Sequence, residues 1–207
     1  MCGITGIIHP QAQLYITEAS RLLAHRGPDD EGIFTHKKLS LAHRRLSILD
    51  LSENGHQPMI SENGRNILIF NGEIYNYKEI KSELQRMGHT FFSDSDSEVI
   101  LAAYSQWGEQ CVNRFMGMWA FAIYDAQKQT LFISRDRYGI KPLYYYFQNQ
   151  KLVFASEIKA ILRDKTVEAK LNLLNAYQYF AFGKISDADE TLFQNIVELP
   201  PGHNLFY

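Results

Sequence analysis

The N-terminal segment Met1-Cys-Gly-Ile-Thr-Gly-Ile-Ile8 combines an apolar, strand-like run with a cysteine at the second position. Its isoleucines leave little polar surface and predict a buried strand over 2–9. Removal of the initiator methionine would leave Cys2 with both a thiol and a free α-amine. Because their ordinary pKa values are about 8.5 and 7.7–8.0, the amine can take the thiol proton near neutral pH. Most cysteines are small buried residues, however, and Cys2 alone favours that ordinary interpretation.

Downstream of this segment, strand and helix patterns alternate without a repeat or a low-complexity tract. The patterns predict strands at about 32–35, 39–48, 66–70, 116–125, 131–136, 143–147 and 152–155. They predict helices at about 17–23, 78–87, 96–107, 156–163 and 172–181. Many antiparallel strand pairs with helices outside the sheets indicate an α+β domain of several layers.

Composition excludes several classes of protein. A chain of 207 residues suits one domain, and 21 basic against 23 acidic residues give a net charge of −2, without the basic excess that binds nucleic acid or anionic membranes. No apolar run reaches the roughly 20 residues that span a bilayer, and the N-terminus lacks a signal-peptide pattern. Two cysteines, Cys2 and Cys111, argue against a disulfide scaffold and predict a cytoplasmic protein, with Cys111 structural.

Seven further motifs occur in a fixed order along the chain. They are His25-Arg-Gly-Pro-Asp29, Leu41-Ala-His-Arg-Arg-Leu-Ser-Ile48, Asn71-Gly-Glu-Ile-Tyr-Asn76, Asp96-Ser-Glu-Val-Ile100, Arg135-Asp-Arg-Tyr-Gly-Ile-Lys-Pro-Leu-Tyr144, Phe154-Ala-Ser-Glu-Ile-Lys-Ala160 and the segment 191–203. With the N-terminal segment, they resemble the glutaminase domain of class II glutamine amidotransferases, and within that class the asparagine synthetase family. The resemblance implies a four-layer αββα N-terminal-nucleophile fold over residues 2–207. It also implies that residues from about 191 lead toward a C-terminal synthetase domain.

The resemblance also assigns catalytic roles. Cys2 is the expected nucleophile, and the Asn71 side-chain amide with the Gly72 backbone N–H is the expected oxyanion hole. An amide is a neutral donor, and glycine allows close approach of a backbone N–H to the reacting oxygen. The alternative is an ordinary Asn-Gly hairpin turn at the end of a strand. We interpret Asn54-Gly55 and Asn63-Gly64 as such turns.

A zwitterionic substrate needs one fixed charge of each sign. By the same resemblance, Arg45 binds the α-carboxylate of glutamine, Asp96 receives its α-ammonium, and Glu73 lies in the same binding segment; ordinary surface ion pairs are the alternative. Arg44 is excluded from the pocket if Arg45 enters it, because neighbouring side chains on a strand face opposite ways. The remaining expected substrate-binding residues follow Arg45: Leu46, Ser47, Ile48 and Leu49.

The implied reaction is hydrolysis of L-glutamine to L-glutamate and ammonia through a γ-glutamyl thioester on Cys2. In the full-length family protein, the ammonia converts aspartate to asparagine, and ATP and Mg serve the synthetase domain. No Gly-Gly dipeptide occurs here, so the pyrophosphate loop of that domain is absent. We expect no cofactor or metal in this domain, since the histidines lack ligand spacing. Two alternatives stay open: the same fold serving a different ammonia acceptor, and a non-catalytic module that keeps the fold as an assembly surface.

Overall fold

The computed structural model describes residues 1–48, 52–183 and 189–207. The helices are α1 (Ala12–Arg21), α2 (Tyr77–Arg86), α3 (Asp96–Trp107), α4 (Ile158–Ile161) and α5 (Leu173–Phe182), with short 3₁₀ helices at Glu53–Gly55 and Gly108–Arg114. The strands are β1 (Gly3–Ile8), β2 (Asp30–His36), β3 (Leu39–Arg45), β4 (Met59–Ile60), β5 (Asn66–Ile74), β6 (Gly117–Asp125), β7 (Thr130–Arg135), β8 (Tyr144–Gln148), β9 (Lys151–Ala155), β10 (Ile196–Glu198) and β11 (Asn204–Phe206).

Every ladder between these strands is antiparallel. A six-stranded sheet has the order β10-β8-β9-β1-β3-β2, and a five-stranded sheet has the order β11-β7-β6-β5-β4. We call them the first and the second sheet. The predicted hairpin between β8 and β9 is present, with Gln148 opposite Lys151. The central strand β1 of the first sheet begins directly after Cys2.

Three buried apolar clusters separate four layers. One lies between the two sheets and includes Ile4, Leu41 and Ile69. Another packs α2 and α3 on the outer face of the second sheet, and the third packs α1 and α4 on the outer face of the first. The predicted αββα arrangement is therefore confirmed, and each sheet buries both of its faces.

Two elements are shorter than predicted, because hydrogen bonds from residues outside them occupy the backbone groups at their ends. β3 was expected to reach 48 but stops at Arg45, because the N–H of Leu46 donates to the Cys2 thiol and that of Ser47 donates to Asp29. The helix expected over 156–163 shrinks to α4, since Ser156 exchanges two hydrogen bonds with Ile4 of β1. In both cases the shortened element leaves a residue, Leu46 or Ser156, bonded to Cys2 or to Ile4 close to it.

The other differences concern α1 and β5. α1 begins at Ala12 rather than 17, so Thr17 lies inside the helix, and Ala12, Ile16 and Ala19 form one stripe on the first sheet. β5 was expected to end at 70 but continues to Ile74, because β6 stays paired with it as far as Gly117. Within the described residues, no helix is long and apolar enough to cross a bilayer.

Candidate active site

Cys2 lies at the end of β1 and faces the second sheet. Ile4 of β1 packs between the sheets, and a side chain two residues earlier on an extended chain points the same way. The thiol is half-buried and meets the backbone of Leu46, whose N–H lies 3.4 Å and whose carbonyl oxygen lies 3.7 Å from Sγ. The strand pair β1–β3 thus sets the position of the sulfur.

The same alternation separates Arg45 from Arg44. On β3, Leu41 points between the sheets, so Arg45 does too; Arg45 is 7% exposed, and its Nη1 donates to the Ser52 carbonyl at 3.0 Å. Arg44 points the other way, toward α1, where it forms an ion pair with Glu31 and bonds to Ser20. The expectation that only one of these two arginines enters the pocket is met, and that one is Arg45.

Asn71 extends the face of β5 that carries Ile67 and Ile69, which pack between the sheets. It therefore points toward the first sheet and Cys2, and it is 1% exposed. Its Nδ2 atom donates to none of the described residues. Most buried polar atoms in folded proteins have a partner, so this orphaned donor, in a cavity beside a thiol, is unusual.

Gly72 directs its backbone N–H toward the same cavity. It lies opposite Trp119 of β6, whose own N–H and carbonyl are both bonded to Asp136 on the β7 side, so the ladder between Gly72 and Trp119 has no hydrogen bond. The N–H groups of Phe70 and Ile74, two residues to either side, donate away from β6 to Gln57 and Asp96. By alternation, the N–H of Gly72 points between those two acceptors.

Asn71-Gly72 is therefore not a hairpin turn, since both residues are paired within β5. Asn63-Gly64 is a turn as predicted, with the Gly64 N–H donating to Ser61. Asn54-Gly55 was predicted as a turn between strands but belongs to the 3₁₀ helix Glu53–Gly55, which Ser52 caps at Asn54. Gly55 also lines the cavity beside Cys2.

Asp96 supplies a buried acidic group at the start of α3. It is 5% exposed, and one carboxylate oxygen accepts the Ile74 N–H at 3.0 Å. Burial raises its pKa to about 6, and the nearby charge of Glu73 acts in the same direction, while hydrogen bonds from backbone N–H groups oppose the rise. A cationic partner such as an ammonium group would stabilise the ionised form of this buried carboxyl.

These groups surround one cavity of about 90 Å³ between the two sheets. Its walls include eight of the residues selected from sequence: Cys2, Arg45, Leu46, Ile48, Asn71, Gly72, Glu73 and Asp96. Ser47 is not among the lining residues, because its backbone is turned toward Asp29. Leu49 lies outside the described residues.

The protonation of Cys2 reflects opposing effects. Burial raises the pKa of the thiol, while the Leu46 N–H and the positive charges of Arg45 and Lys141 oppose that rise. Met1 lines the cavity, and as long as Met1 is attached the nitrogen of Cys2 is an amide. The second cysteine, Cys111, which was predicted to be structural, is fully buried, and burial raises its pKa to about 12.

Sequence reasoning gave no role to three residues that shape the site. Arg26 donates from Nε to the Cys2 carbonyl at 2.9 Å and pairs with Glu157. Gln57 lines the cavity between the Phe70 N–H and the Ser97 hydroxyl, and Lys141 lines it from the loop after β7. Arg26 and Lys141 belong to the motifs quoted above, so their motif membership was the available signal; Gln57 had none.

The histidines near the site include one core residue and two residues close to the surface. His43 is buried, contacts the Phe70 carbonyl at 3.0 Å, and has its pKa lowered to about 4 by burial. His25 and His56 pair with carboxylates near the surface. Over the ranges that the structure covers, no three His, Cys, Asp or Glu side chains are grouped as metal ligands.

Comparison with known proteins shows the family to which this chain is similar. The family model described as a glutamine amidotransferase domain matches residues 1–207. The chain is 39% identical over 210 residues to asparagine synthetase [glutamine-hydrolyzing] 1 of Bacillus subtilis, covering 98% of this chain and 33% of that protein. It is 40% identical over 168 residues to asparagine synthetase B [glutamine-hydrolyzing] of Escherichia coli, covering 78% of this chain and 30% of that protein. The chain thus spans about a third of these relatives.

A solved structure, glutamine phosphoribosylpyrophosphate amidotransferase from B. subtilis, shares the fold. The TM-score is 0.67 at 23% identity, over 77% of this chain and 43% of that one. Since the family model covers the whole chain and the asparagine synthetases match it at 39–40% identity, the protein belongs to the glutamine amidotransferase family, as a domain of the kind found in glutamine-hydrolysing asparagine synthetases.

Proposed function

We propose that this chain hydrolyses L-glutamine to L-glutamate and ammonia, with Cys2 as the nucleophile. The observation that carries the proposal is the convergence of two donors beside the thiol: the unpartnered Nδ2 of Asn71 and the N–H of Gly72. Two fixed donors next to a nucleophile suit the oxyanion of a tetrahedral intermediate. This combination suits acyl transfer from an amide.

The reaction begins once Met1 is removed and the Cys2 amine is free. The amine takes the thiol proton, and the sulfur attacks the side-chain carbonyl carbon of glutamine. Asn71 and Gly72 stabilise the oxygen as it becomes negative. The amine then gives its proton to the departing nitrogen, which leaves as ammonia, and water hydrolyses the γ-glutamyl thioester with the amine again acting as base.

The rest of the cavity matches the two charges of the glutamine backbone. Arg45 faces the cavity and would bind the α-carboxylate, since a guanidinium pairs with a carboxylate through two parallel hydrogen bonds. Asp96 and Glu73, which line the same cavity, would receive the α-ammonium. We also assign Leu46 and Ile48 to the wall of this pocket, and no cofactor or metal is needed for the steps above.

In the longer protein, we propose that residues 2–207 form the glutaminase domain and that about 191–207 leads to a synthetase region. That region would use ATP and Mg to activate aspartate, and the ammonia formed here would complete asparagine. We also place the protein in the cytoplasm, where a reactive thiol such as Cys2 stays reduced.

Two cysteine variants test the proposal. Cys2→Ala should abolish release of glutamate and ammonia, whereas Cys111→Ala should preserve it, because Cys111 lies in the core beneath α3. An electrophilic glutamine analogue should modify Cys2 and leave Cys111 unmodified, as read by peptide mass spectrometry. Turnover in Cys2→Ala, or modification of Cys111, would contradict the assignment.

A further inference from the structure

Lys141 brings a positive charge into the cavity without a visible counterion. The residue is 6% exposed and lines the same walls as Cys2, Asn71 and Gly72. Its ammonium forms no hydrogen bond or ion pair with any residue that the structure describes. The Lys141 side chain is held against the cavity wall without a partner for its ammonium, so an anion beside the nucleophile would offset the hydration that the ammonium loses there.

The loop that carries Lys141 is held in place by the side chains of Asp136 and Arg135, which bond to its backbone groups. One oxygen of the fully buried Asp136 accepts the N–H of Lys141 at 3.0 Å, and the other accepts those of Tyr138 and Ile140 at the same distance. The Nε of Arg135 donates to the Lys141 carbonyl at 2.8 Å. The backbone of Lys141 is therefore fixed on both its N–H and its carbonyl, and this fixed backbone directs the side chain to the cavity.

Apart from the N-terminal ammonium, the charged groups around the thiol and the Lys141 ammonium come from five parts of the fold. They are Arg26 after α1, Arg45 at the end of β3, Glu73 and Asp96 from β5 and α3, and Asp136 with Lys141 after β7. Asp136 is occupied by backbone N–H groups, and Asp96 accepts the Ile74 N–H. Arg26 is occupied by Glu157 and the Cys2 carbonyl.

Two anions are left for Lys141, and position selects between them. Glu73 is partly exposed and, with Asp96, faces the proposed α-ammonium of glutamine. The other is the thiolate of Cys2. Burial lowers the pKa of Lys141, while the charges of Cys2, Asp136 and Glu73 act to raise it again. The reciprocal effect holds at Cys2, where the charge of Lys141 opposes the rise caused by burial.

We propose that Lys141 is a positioning residue for the nucleophile, whose ammonium stabilises the negative charge on the Cys2 sulfur in the free enzyme. The inference rests on the proposed role of Cys2. The thiol proton still passes to the Cys2 amine, and Lys141 stays protonated and forms no covalent bond. Its contribution is to increase the fraction of Cys2 present as thiolate near neutral pH.

The test measures the alkylation of Cys2 by iodoacetamide from pH 5 to 10 in the mature protein without Met1, with the Cys2 peptide followed by mass spectrometry. Lys141→Met and Lys141→Gln remove the charge, and Lys141→Arg keeps it. Lys128→Met, an exposed lysine in the β6–β7 turn, is the matched control. All variants carry the same Cys2 amine, so the titration of that amine affects each alkylation rate equally and cancels when a variant is compared with the parent protein at the same pH.

We expect both neutral variants to alkylate about tenfold more slowly near pH 7, since a neighbouring opposite charge shifts a pKa by about one unit or more. The difference should vanish at high pH, where the thiol is ionised in every variant, and Lys141→Arg and Lys128→Met should follow the parent protein. An unchanged alkylation profile in both neutral variants would overturn the proposal, even if glutaminase activity fell. A failure of Lys141→Arg to restore the profile would overturn it too. A failed role for Cys2 would show separately, as turnover in Cys2→Ala.

Discussion

At the scale of single residues, Asp96 lowers the stability of the folded chain while providing the acidic group proposed to bind the α-ammonium of glutamine. The pKa of its carboxyl is about 6 in the folded chain, against an ordinary value of 3.8. Between these values the folded chain binds more protons than the unfolded chain, so this residue's contribution to the free energy of unfolding falls as the pH rises. Above pH 6, the buried carboxylate costs up to about 3 kcal/mol, at roughly 1.4 kcal/mol for each pKa unit.

Asp96→Asn should therefore be more stable than the parent chain at pH 7, with the difference shrinking toward pH 4. The same variant should lose glutamine hydrolysis, because the α-ammonium loses its charged partner. For the parent chain, kcat/KM should fall as the pH drops through about 6, where free Asp96 becomes protonated. Thermal unfolding and initial rates measured across pH 4–8 provide both tests.

Asp94→Asn is the matched control, since the Asp94 side chain is 92% exposed and lies just before α3. It should change neither the stability profile nor the rate appreciably. A stability gain of Asp96→Asn that is equal at pH 4 and pH 7 would show that burial of the charge is not its cause.

Most residues of the site could be selected from sequence, but only through motif order. Asn71 and Gly72 look like a turn when considered alone, and their pairing with β6 depends on contacts with residues more than 45 positions away. Strand alternation, a local rule, predicted that only one of Arg44 and Arg45 enters the pocket, and the motif selected Arg45. Gln57 was not selected, since its role depends on β5 passing beside it.

At the scale of elements, β5 is the strand on which the oxyanion hole depends. Both faces of β5 carry apolar side chains that pack into the neighbouring layers. At Asn71 and Gly72 the strand keeps its extended geometry but presents hydrogen-bond donors, the Asn71 side-chain amide and the Gly72 N–H. A Cβ at Gly72 would lie 2.3 Å from the Met118 carbonyl oxygen and 2.5 Å from the Phe70 ring. The close pairing with β6 therefore requires glycine at this position.

Gly72→Ala should displace β5 from β6 and reduce glutamine hydrolysis at least 10²-fold, as expected for loss of an oxyanion donor. It should also lower the melting temperature, because neither Met118 nor Trp119 can yield without moving the backbone. Circular dichroism and the glutaminase rate are the two measurements.

Gly64→Ala is the control for backbone conformation. Gly64 has φ of +68° in the turn before β5, and a Cβ at this position would have nothing within 4 Å of it. Gly64→Ala should lower the free energy of unfolding by about 1–2 kcal/mol, because alanine is strained in the left-handed backbone, and it should retain the rate of glutamine hydrolysis. Equal rates for Gly64→Ala and Gly72→Ala would contradict the role given to Gly72.

At the scale of the whole molecule, the site depends on the stacking of two sheets. Cys2 and Arg45 come from the first sheet, Asn71 and Gly72 from the second, and the apolar cluster between the sheets fixes the distance between them. Periodicity alone predicted several layers; the order of strands within each sheet could not be read from it, since neighbours such as β1 and β9 are far apart in sequence. The resemblance supplied the four-layer arrangement.

The fold around the cavity leads to a prediction about the chain as a unit. The 207 residues contain the glutaminase groups but no Gly-Gly pyrophosphate loop, so hydrolysis should proceed without coupling to any synthetase reaction. Glutamate and ammonia should form in equal amounts, and aspartate with Mg-ATP should change neither the rate nor the products. The assay quantifies glutamate, ammonia, asparagine and AMP with and without those additions, with Cys2→Ala as the blank. If this chain alone formed asparagine, a nucleotide site would have to exist elsewhere in it, and the assignment of all 207 residues to glutamine hydrolysis would be wrong.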